Sequence, residues 1–137
     1  MRAAIIALML TVATQAGAEC GNLCDSDWWK TATDADVRSE LDDGAHVMAR
    51  GINGRTPLHA AAMYGTPVDI QALLDAGPNV MARDEDGYTP LHSAAAQDNP
   101  ANIQALLDAG ADVVARNKYG GKPLHNAAKW GTPANIQ

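Results

Sequence analysis

Residues 54–62 read GRTPLHAAA, residues 87–95 read GYTPLHSAA and residues 120–128 read GGKPLHNAA. The spacing between successive copies is 33 residues. A second motif keeps the same register, because IQALLDAG at residues 70–77 returns at residues 103–110. Self-similarity at a fixed period of this length indicates a repeat architecture, in which each unit buries its apolar face against its neighbours.

The unit that precedes these copies is degenerate but obeys the same period. Val37 and Leu41 lie one period before Ile70 and Leu74. The repeat register therefore begins near Asp27 and continues to the end of the chain.

Threonine-proline and asparagine-proline pairs mark the expected helix starts. The Thr56 hydroxyl can accept a hydrogen bond from the first helical turn, and Pro57 suits the first helical position because its missing N–H costs nothing there. Thr66-Pro67 and Asn99-Pro100 repeat this chemistry. Gly77 supplies the left-handed residue that ends the second helix of its unit. Each unit is therefore predicted to be a pair of short helices.

These helices need neighbours, because isolated helices shorter than about 12 to 15 residues are marginal in water. Ala61-Ala62 and Ala94-Ala95 permit the first helices of successive units to approach closely. The second helices carry an apolar stripe that stacking would bury. Its members are Ile70, Leu73, Leu74, Ile103, Leu106 and Leu107.

The pattern resembles the ankyrin repeat, whose unit has 33 residues and a TPLH-type tetrapeptide. The resemblance implies an all-α solenoid of helix-turn-helix units with projecting hairpin or loop fingers. We expect residues 19–50 to hold a cysteine pair and a degenerate capping repeat. Residues 51–83 and 84–116 would be full repeats, and residues 117–137 an incomplete one.

The first residues have the pattern of a bacterial-type secretory signal peptide. Arg2 precedes an apolar run over residues 3–13, and residues 16–18 read AGA, a small-residue cleavage site. The run is shorter than the roughly 20 apolar residues that span a bilayer. We therefore expect cleavage after residue 18 and a periplasmic or secreted protein, with no membrane attachment once the signal is removed.

Cys20 and Cys24 are the only cysteines, and both fall at the start of the predicted mature chain. In an oxidising compartment this pair predicts a local disulfide, and no further ligands for zinc lie nearby. A redox role for the pair is the alternative, although its spacing is one residue longer than CxxC.

The formal net charge of −6 and the absence of basic runs argue against a nucleic-acid partner. The sequence has no Gly-rich phosphate loop, serine nucleophile motif or HExxH pattern. We therefore expect no enzyme activity, no cofactor and no metal.

His59, His92 and His125 lie one repeat apart. Packed helices are separated by about 8 to 10 Å, so three such imidazoles cannot share one zinc ion. The resemblance implies a structural role, in which this histidine braces the turn through hydrogen bonds to the threonine and the backbone. Lys122 replaces that threonine in the last unit.

The resemblance also implies that a concave surface of finger and first-helix residues binds another protein. Tyrosine, tryptophan, methionine and arginine are enriched at the energetic centres of interfaces. The corresponding positions are Ile52, Asn53, Arg55, Met63 and Tyr64, then Glu85, Asp86, Tyr88, Ala96 and Gln97, and finally Lys118, Tyr119, Lys129 and Trp130.

Trp28 and Trp29 align with Ala61 and Ala62, so we interpret them as a cap on the N-terminal end of the stack. Arg50, Arg83 and Arg116 also recur at the period. Ion pairs with Asp84, Glu85 or Asp86 are the favoured role for these arginines. A strip that attracts an acidic partner is the alternative.

The sequence thus predicts an exported module that binds a protein of unknown identity. A redox or stress-protective accessory that uses Cys20 and Cys24 is one alternative. The other follows from the C-terminal end, which stops partway through a helix at Gln137. It predicts a fragment that packs against a missing region, a frayed end, or self-association through that end.

Overall fold

A computed structural model describes residues 21–97 and 99–124. The α-helices that lie wholly within these ranges are α1 (Ser26–Trp29), α2 (Asp34–Asp42), α3 (Pro57–Tyr64), α4 (Pro67–Asp75), α5 (Pro90–Ala95) and α6 (Pro100–Asp108), and Pro123 and Leu124 are also helical. Short 3-10 turns occupy Gly21–Cys24 and Ile52–Gly54. No β-strand occurs within the described ranges, and the expected all-α fold is confirmed.

The helices form two parallel rows. Helices α1, α3 and α5 pack successively on one another, and helices α2, α4 and α6 do the same in the second row. Helix α3 contacts α4, and α5 contacts α6, so each of these two units is a helix pair. The result is the solenoid that the repeat predicts.

The core between the rows is built from small side chains in the first helices and larger ones in the second. Ala61, Ala62 and Ala94 are completely buried. Ile70, Leu73 and Leu106 are completely buried as well, and Leu74, Ile103 and Leu107 pack partly buried against them. Alanine lets the first helices approach closely, and the second helices supply most of the apolar area.

Helix starts and ends follow the local chemistry of the sequence. Helices α3, α4, α5 and α6 all begin at a proline. The Thr66 hydroxyl accepts from the Asp69 N–H at 3.2 Å, and the Asn99 side chain accepts from the Asn102 N–H at 3.1 Å. Gly77 and Gly110 follow α4 and α6 with φ of +90° and +94°, a conformation that glycine adopts without a Cβ clash.

The N-terminal end of the stack is closed by aromatic and aliphatic side chains. Trp29 is 4% exposed and its indole N–H donates to the Leu23 carbonyl at 2.8 Å. Trp28 lies half-buried beside it, with the two rings edge to face and centroids 5.3 Å apart. Leu23, on the 3-10 turn, is completely buried under the same end. Large rings thus occupy the positions that alanine fills in later units.

The joint between α2 and α4 contains an uncommon pair of acids. Asp69 is 4% exposed, and its Oδ1 receives no donor from the described residues. The Asp34 carboxyl lies beside it and accepts from the Thr66 hydroxyl at 3.0 Å. Burial, followed by hydrogen bonding with the Asp34 carboxyl and repulsion from it, raises the pKa of Asp69 from 3.8 to about 6. Protonation of Asp69 relieves its repulsion from the Asp34 carboxyl.

The next unit has an amide instead of a carboxyl at the equivalent position. Asn102 lies one period after Asp69 and is 1% exposed. Its amide donates to the Gly65 carbonyl at 3.0 Å and to the Ala62 carbonyl at 3.4 Å. An amide can make these bonds at any pH, whereas an ionised carboxylate cannot donate.

We therefore predict that Asp69→Asn stabilises the fold in a pH-dependent way. A carboxyl with a raised folded pKa stabilises the fold fully below about pH 4, and this contribution disappears as the pH rises through about 6. The substitution should raise the free energy of unfolding by roughly 1 kcal/mol at about pH 7.5 and change it little at about pH 4.5. Urea unfolding followed by circular dichroism measures both values.

Asp75→Asn is the matched control, because Asp75 is an exposed acid on the same helix. Its effect should not differ between the two pH values. An equal gain for Asp69→Asn at both pH values would contradict the prediction.

Candidate functional site

The loops between units form short fingers, and a backbone hydrogen bond closes the base of each. The N–H of Gly51 donates to the Arg55 carbonyl at 2.8 Å, and the N–H of Asp84 donates to the Tyr88 carbonyl at 3.0 Å. The N–H of Asn117 closes the third finger on Gly121 at 2.8 Å. Of the two finger forms that the resemblance implies, the described residues therefore show loops.

A buried side chain braces the second and third fingers. Asp84 Oδ1 accepts from the N–H groups of Asp86 and Tyr88 at 2.9 and 3.0 Å. Asn117 Oδ1 makes the same pair of bonds, to Tyr119 at 2.9 Å and Gly121 at 2.8 Å. The first finger has Gly51 at this position and no such brace.

The recurring arginines connect successive fingers. Arg50 Nη1 donates to the Gly54 carbonyl at 2.8 Å and to the Arg83 carbonyl. Arg83 Nη1 repeats this, with the Gly87 carbonyl at 2.9 Å and the Arg116 carbonyl at 2.5 Å. The expected ion pairs of this column with the finger acids are wrong for the described residues, because the guanidinium groups are directed at backbone carbonyls. Arg50 and Arg83 instead each hold their own finger against the next, and Arg116 donates to the Gly120 carbonyl of its own finger at 3.1 Å.

The finger acids pair with other cations. Arg55 Nε lies 3.7 Å from Asp84 Oδ2, and Lys118 Nζ lies 2.8 Å from Asp86 Oδ1. Adjacent finger tips also share backbone bonds, from the Glu85 N–H to the Asn53 carbonyl and from the Lys118 N–H to the Asp86 carbonyl, both 2.9 Å. The tips thus form one connected edge.

The motif histidines link each unit to the following finger. His59 Nδ1 accepts from the Thr56 N–H at 3.1 Å, and its Nε2–H donates to the Tyr88 carbonyl at 2.7 Å. His92 makes the equivalent bonds to Thr89 at 3.1 Å and Gly121 at 2.9 Å. Burial lowers the pKa of both imidazoles, which favours the neutral ring that can accept at Nδ1. His125 lies outside the described residues.

The first-helix residues that we assigned to the concave face line two neighbouring clefts. The larger cleft, of about 560 Å³, lies between the N-terminal cap and the first finger and is bordered by Arg55, Met63 and Tyr64. The smaller one, of about 200 Å³, is bordered by Arg55, Met63, Tyr88 and Gln97. Arg55 and Met63 belong to both, so the clefts form one surface.

The finger-tip residues form a second group. Lys118 Nζ lies 5.4 Å from the centre of the Tyr119 ring, and the Tyr119 hydroxyl is 3.5 Å from Asp86 Oδ1. Tyr119 is 69% exposed, and Glu85 is exposed at the preceding tip. Lys129 and Trp130, which we assigned to the same face, lie outside the described residues.

Tyr88 contributes both to the packing between units and to the surface of the smaller cleft. Its ring lies edge to face with His92, with centroids 5.5 Å apart, and its carbonyl accepts from His59. The side chain is half-buried at the smaller cleft. Any change at Tyr88 therefore affects packing as well as surface chemistry.

Sequence reasoning missed the N-terminal wall of the larger cleft. Asp25, Asp27 and Cys24 border it together with Gly51. Gly51 could have indicated this wall. It stands at the repeat position that Asp84 and Asn117 occupy in the later units, and it has no side chain. Within the described part of the chain, no group of three or more His, Cys, Asp or Glu side chains is arranged to hold a metal ion.

We predict that Arg83→Met loosens the third finger. The substitution keeps the aliphatic stem but removes the donor to the Gly87 and Arg116 carbonyls. The free energy of unfolding should fall by about 1 kcal/mol. Amide hydrogen exchange at Lys118, whose N–H joins the two finger tips, should accelerate.

Arg38→Met is the control, because Arg38 is an exposed residue of α2 whose side chain makes no hydrogen bond or ion pair with residues 21–97 or 99–124. Unchanged exchange at Lys118 in Arg83→Met would show that the arginine column does not hold the fingers.

Comparison with protein families supports the same architecture. The family model for ankyrin repeats in three copies matches residues 10–117. Comparison with curated protein sequences finds no match. Ankyrin repeats are generally protein–protein interaction modules and are typically not enzymes. Because the match covers most of the 137 residues and the described helices stack as its repeats require, the chain belongs to the ankyrin-repeat family.

Proposed function

We propose that this protein is an exported, non-enzymatic module that holds another protein on its concave face. One observation carries the proposal: Arg55 and Met63 border both clefts, which joins the residues of two units into a continuous surface. A partner can therefore contact several units at once. This is the arrangement that gives repeat proteins their extended binding surfaces.

The side chains of this surface suit a protein partner. Tyr64 is 40% exposed and Met63 is half-buried, so each offers apolar area without a rearrangement of the core. Aromatic, methionine and arginine side chains contribute most where a partner excludes water from them. The fingers that frame the surface are held by hydrogen bonds within the chain, which reduces the ordering cost of binding.

Export is part of the proposal and rests on residues 1–18, which lie outside the described residues. Among the described helices, none has the length and apolar composition that would let it cross a membrane. Residues 125–137, with the predicted uncovered end, also lie outside the described ranges, so self-association through that end remains a prediction.

We predict that removal of the exposed concave side chains weakens partner capture. The variant Met63→Ala/Tyr64→Ala/Tyr119→Ala should lower the affinity for the partner by at least about tenfold, because such side chains carry most of the binding energy of an interface. Tyr88 is left unchanged because its ring packs on His92. Capture from the exported fraction by crosslinking, followed by quantitative mass spectrometry, measures the effect.

Val68→Ala/Val113→Ala is the matched control. Both valines are about half exposed, at 47% and 53%, and neither borders the two clefts. Capture should be unchanged in this variant. Equal capture by the concave-face variant and the wild type would refute the concave-face proposal.

We also propose that Cys20 and Cys24 form a structural disulfide. Cys20 lies outside the described residues. Cys24 is half-buried, and its Sγ lies 3.4 Å from the Arg55 carbonyl. A Cβ on Gly51 would come within 2.8 Å of the Cys24 Cβ, so Cys24 is closely packed on the first finger. A residue in that position is better suited to fastening the cap than to reversible exchange with another thiol.

Protein purified from the export compartment should therefore contain no titratable thiol until it is both unfolded and reduced. Mass spectrometry of an alkylated sample measures the free thiols. Rapid reduction of the folded protein by a mild reductant would favour the redox alternative instead.

A further inference from the structure

The larger cleft exists because the first finger differs from the later ones. The 3-10 turn Gly21–Cys24 and α1 form one wall, and the first finger with α3 forms the other. In the later fingers, Asp84 and Asn117 fill the finger base and are each 8% exposed. Gly51 leaves that position without a side chain, which allows the cap to lie against the finger.

The cap side of this cleft carries two carboxylates, Asp25 and Asp27, and Lys30 pairs with the second of them. Asp25 Oδ1 accepts from the Asp27 N–H at 2.9 Å, and Asp27 Oδ1 lies 2.7 Å from Lys30 Nζ. The second oxygen of each carboxylate accepts no hydrogen bond from the described residues. Hydrogen bonding and attraction to Lys30 lower the pKa of Asp27, so its carboxyl is ionised at neutral pH. Arg55 on the opposite wall is directed at Asp84.

The finger side of the cleft is apolar. Ile52 is 82% exposed, and Met63 and Tyr64 continue the apolar surface onto α3. A single exposed isoleucine would mean little. An apolar strip opposite two carboxylates is instead the arrangement that fits a long side chain with an aliphatic stem and a cationic end.

The series of backbone hydrogen bonds between adjacent finger tips stops at the first finger, beside this cleft. The second and third tips donate from Glu85 and Lys118 to the preceding finger. Ile52 is the equivalent residue of the first finger, and its N–H has no acceptor among residues 21–97 and 99–124. A carbonyl of a partner chain can take that place, as peptide backbones do when they join an exposed edge.

We infer that the cleft between the cap and the first finger binds an extended, basic segment of the partner protein. An arginine or lysine of that segment lies along Ile52, Met63 and Tyr64 with its charge at Asp25 and Asp27, and a neighbouring carbonyl accepts from the Ile52 N–H. This inference rests on the proposed function and specifies the chemistry of the partner. It also gives the net negative charge of the chain a role, because attraction between opposite charges favours encounter with a basic partner.

The test uses short peptides and the full mature chain. The probe is Ac-Gly-Leu-Arg-Leu-Gly-NH₂, and its counterpart has citrulline in place of arginine, which keeps the shape and removes the charge. Titration into ¹⁵N-labelled protein, followed by amide chemical shifts, should move the resonances of Ile52 and Tyr64. The arginine peptide should bind about fivefold more tightly than the citrulline peptide, the factor expected of exposed ion pairs.

Asp25→Asn/Asp27→Asn should remove that preference. Asparagine caps a helix about as well as aspartate, so the variant retains the N-cap at Asp25 while it loses both charges. Asp108→Asn is the control, because Asp108 is an exposed acid at the end of α6 and does not border the cleft. It should bind the arginine peptide as the wild type does. Thermal unfolding of each variant establishes that it is folded.

Equal binding of the two peptides, shifts that map away from Ile52 and Tyr64, or full binding by the double variant would each overturn the inference. Binding of agmatine as tightly as the arginine peptide would also overturn it, in favour of a site for a small cation. Failure of this inference can be distinguished from failure of the proposed function. If partner capture requires Met63, Tyr64 and Tyr119 but is unaffected by Asp25→Asn/Asp27→Asn, the concave face binds a partner and the basic-segment inference fails.

Discussion

The fold depends on helices that are too short to persist alone. Helices α3 and α4 have 8 and 9 residues, and α5 has 6, all below the length at which a peptide helix is stable in water. Their apolar faces are buried only when the next pair lies against them. Completely buried alanines at 61, 62 and 94 set how closely the rows can approach. Every other feature of the structure is built on that stacking.

Hydrogen bonds between units give the stack its register. The His59 ring donates to a carbonyl 29 residues further along the chain, and the Arg50 side chain to one 33 residues further. These bonds are directional, so they fix where each finger lies relative to the preceding unit. A surface that spans two units therefore keeps its shape before a partner arrives, which is the condition for binding without a large ordering cost.

Three residues of the first units depart from the repeat pattern, and each departure has a structural consequence. Trp29 of the first unit replaces an alanine of the later units, and its buried ring closes that end of the described stack. Gly51 replaces the buried finger brace and makes room for Cys24. Asp69 replaces an asparagine and places a carboxyl beside Asp34 at the joint of the cap and the second unit. All three departures lie at or beside the N-terminal cap, where the contacts that repeat between the later units are interrupted.

The sequence by itself determined the periodic part of this protein. The Thr-Pro helix starts and the glycine helix ends depend on contacts within a few residues, so local chemistry was enough to predict the helix pairs. The 33-residue period predicted that these pairs stack. The resemblance to the ankyrin repeat also predicted that Arg55, Met63, Tyr64, Tyr88 and Gln97 share one surface, and in the structure these residues border the two clefts.

Only the tertiary structure decided what depends on distance between units. The arginine column reaches carbonyls one unit away rather than the nearby acids, and the Met48 thioether accepts the Asn79 N–H at 3.2 Å. The acidic wall at Asp25 and Asp27 lies opposite Tyr64 because the cap folds back on the first finger. None of these contacts has a sequence signal, because each joins groups about 30 or more residues apart whose meeting is set by the packing of the whole stack.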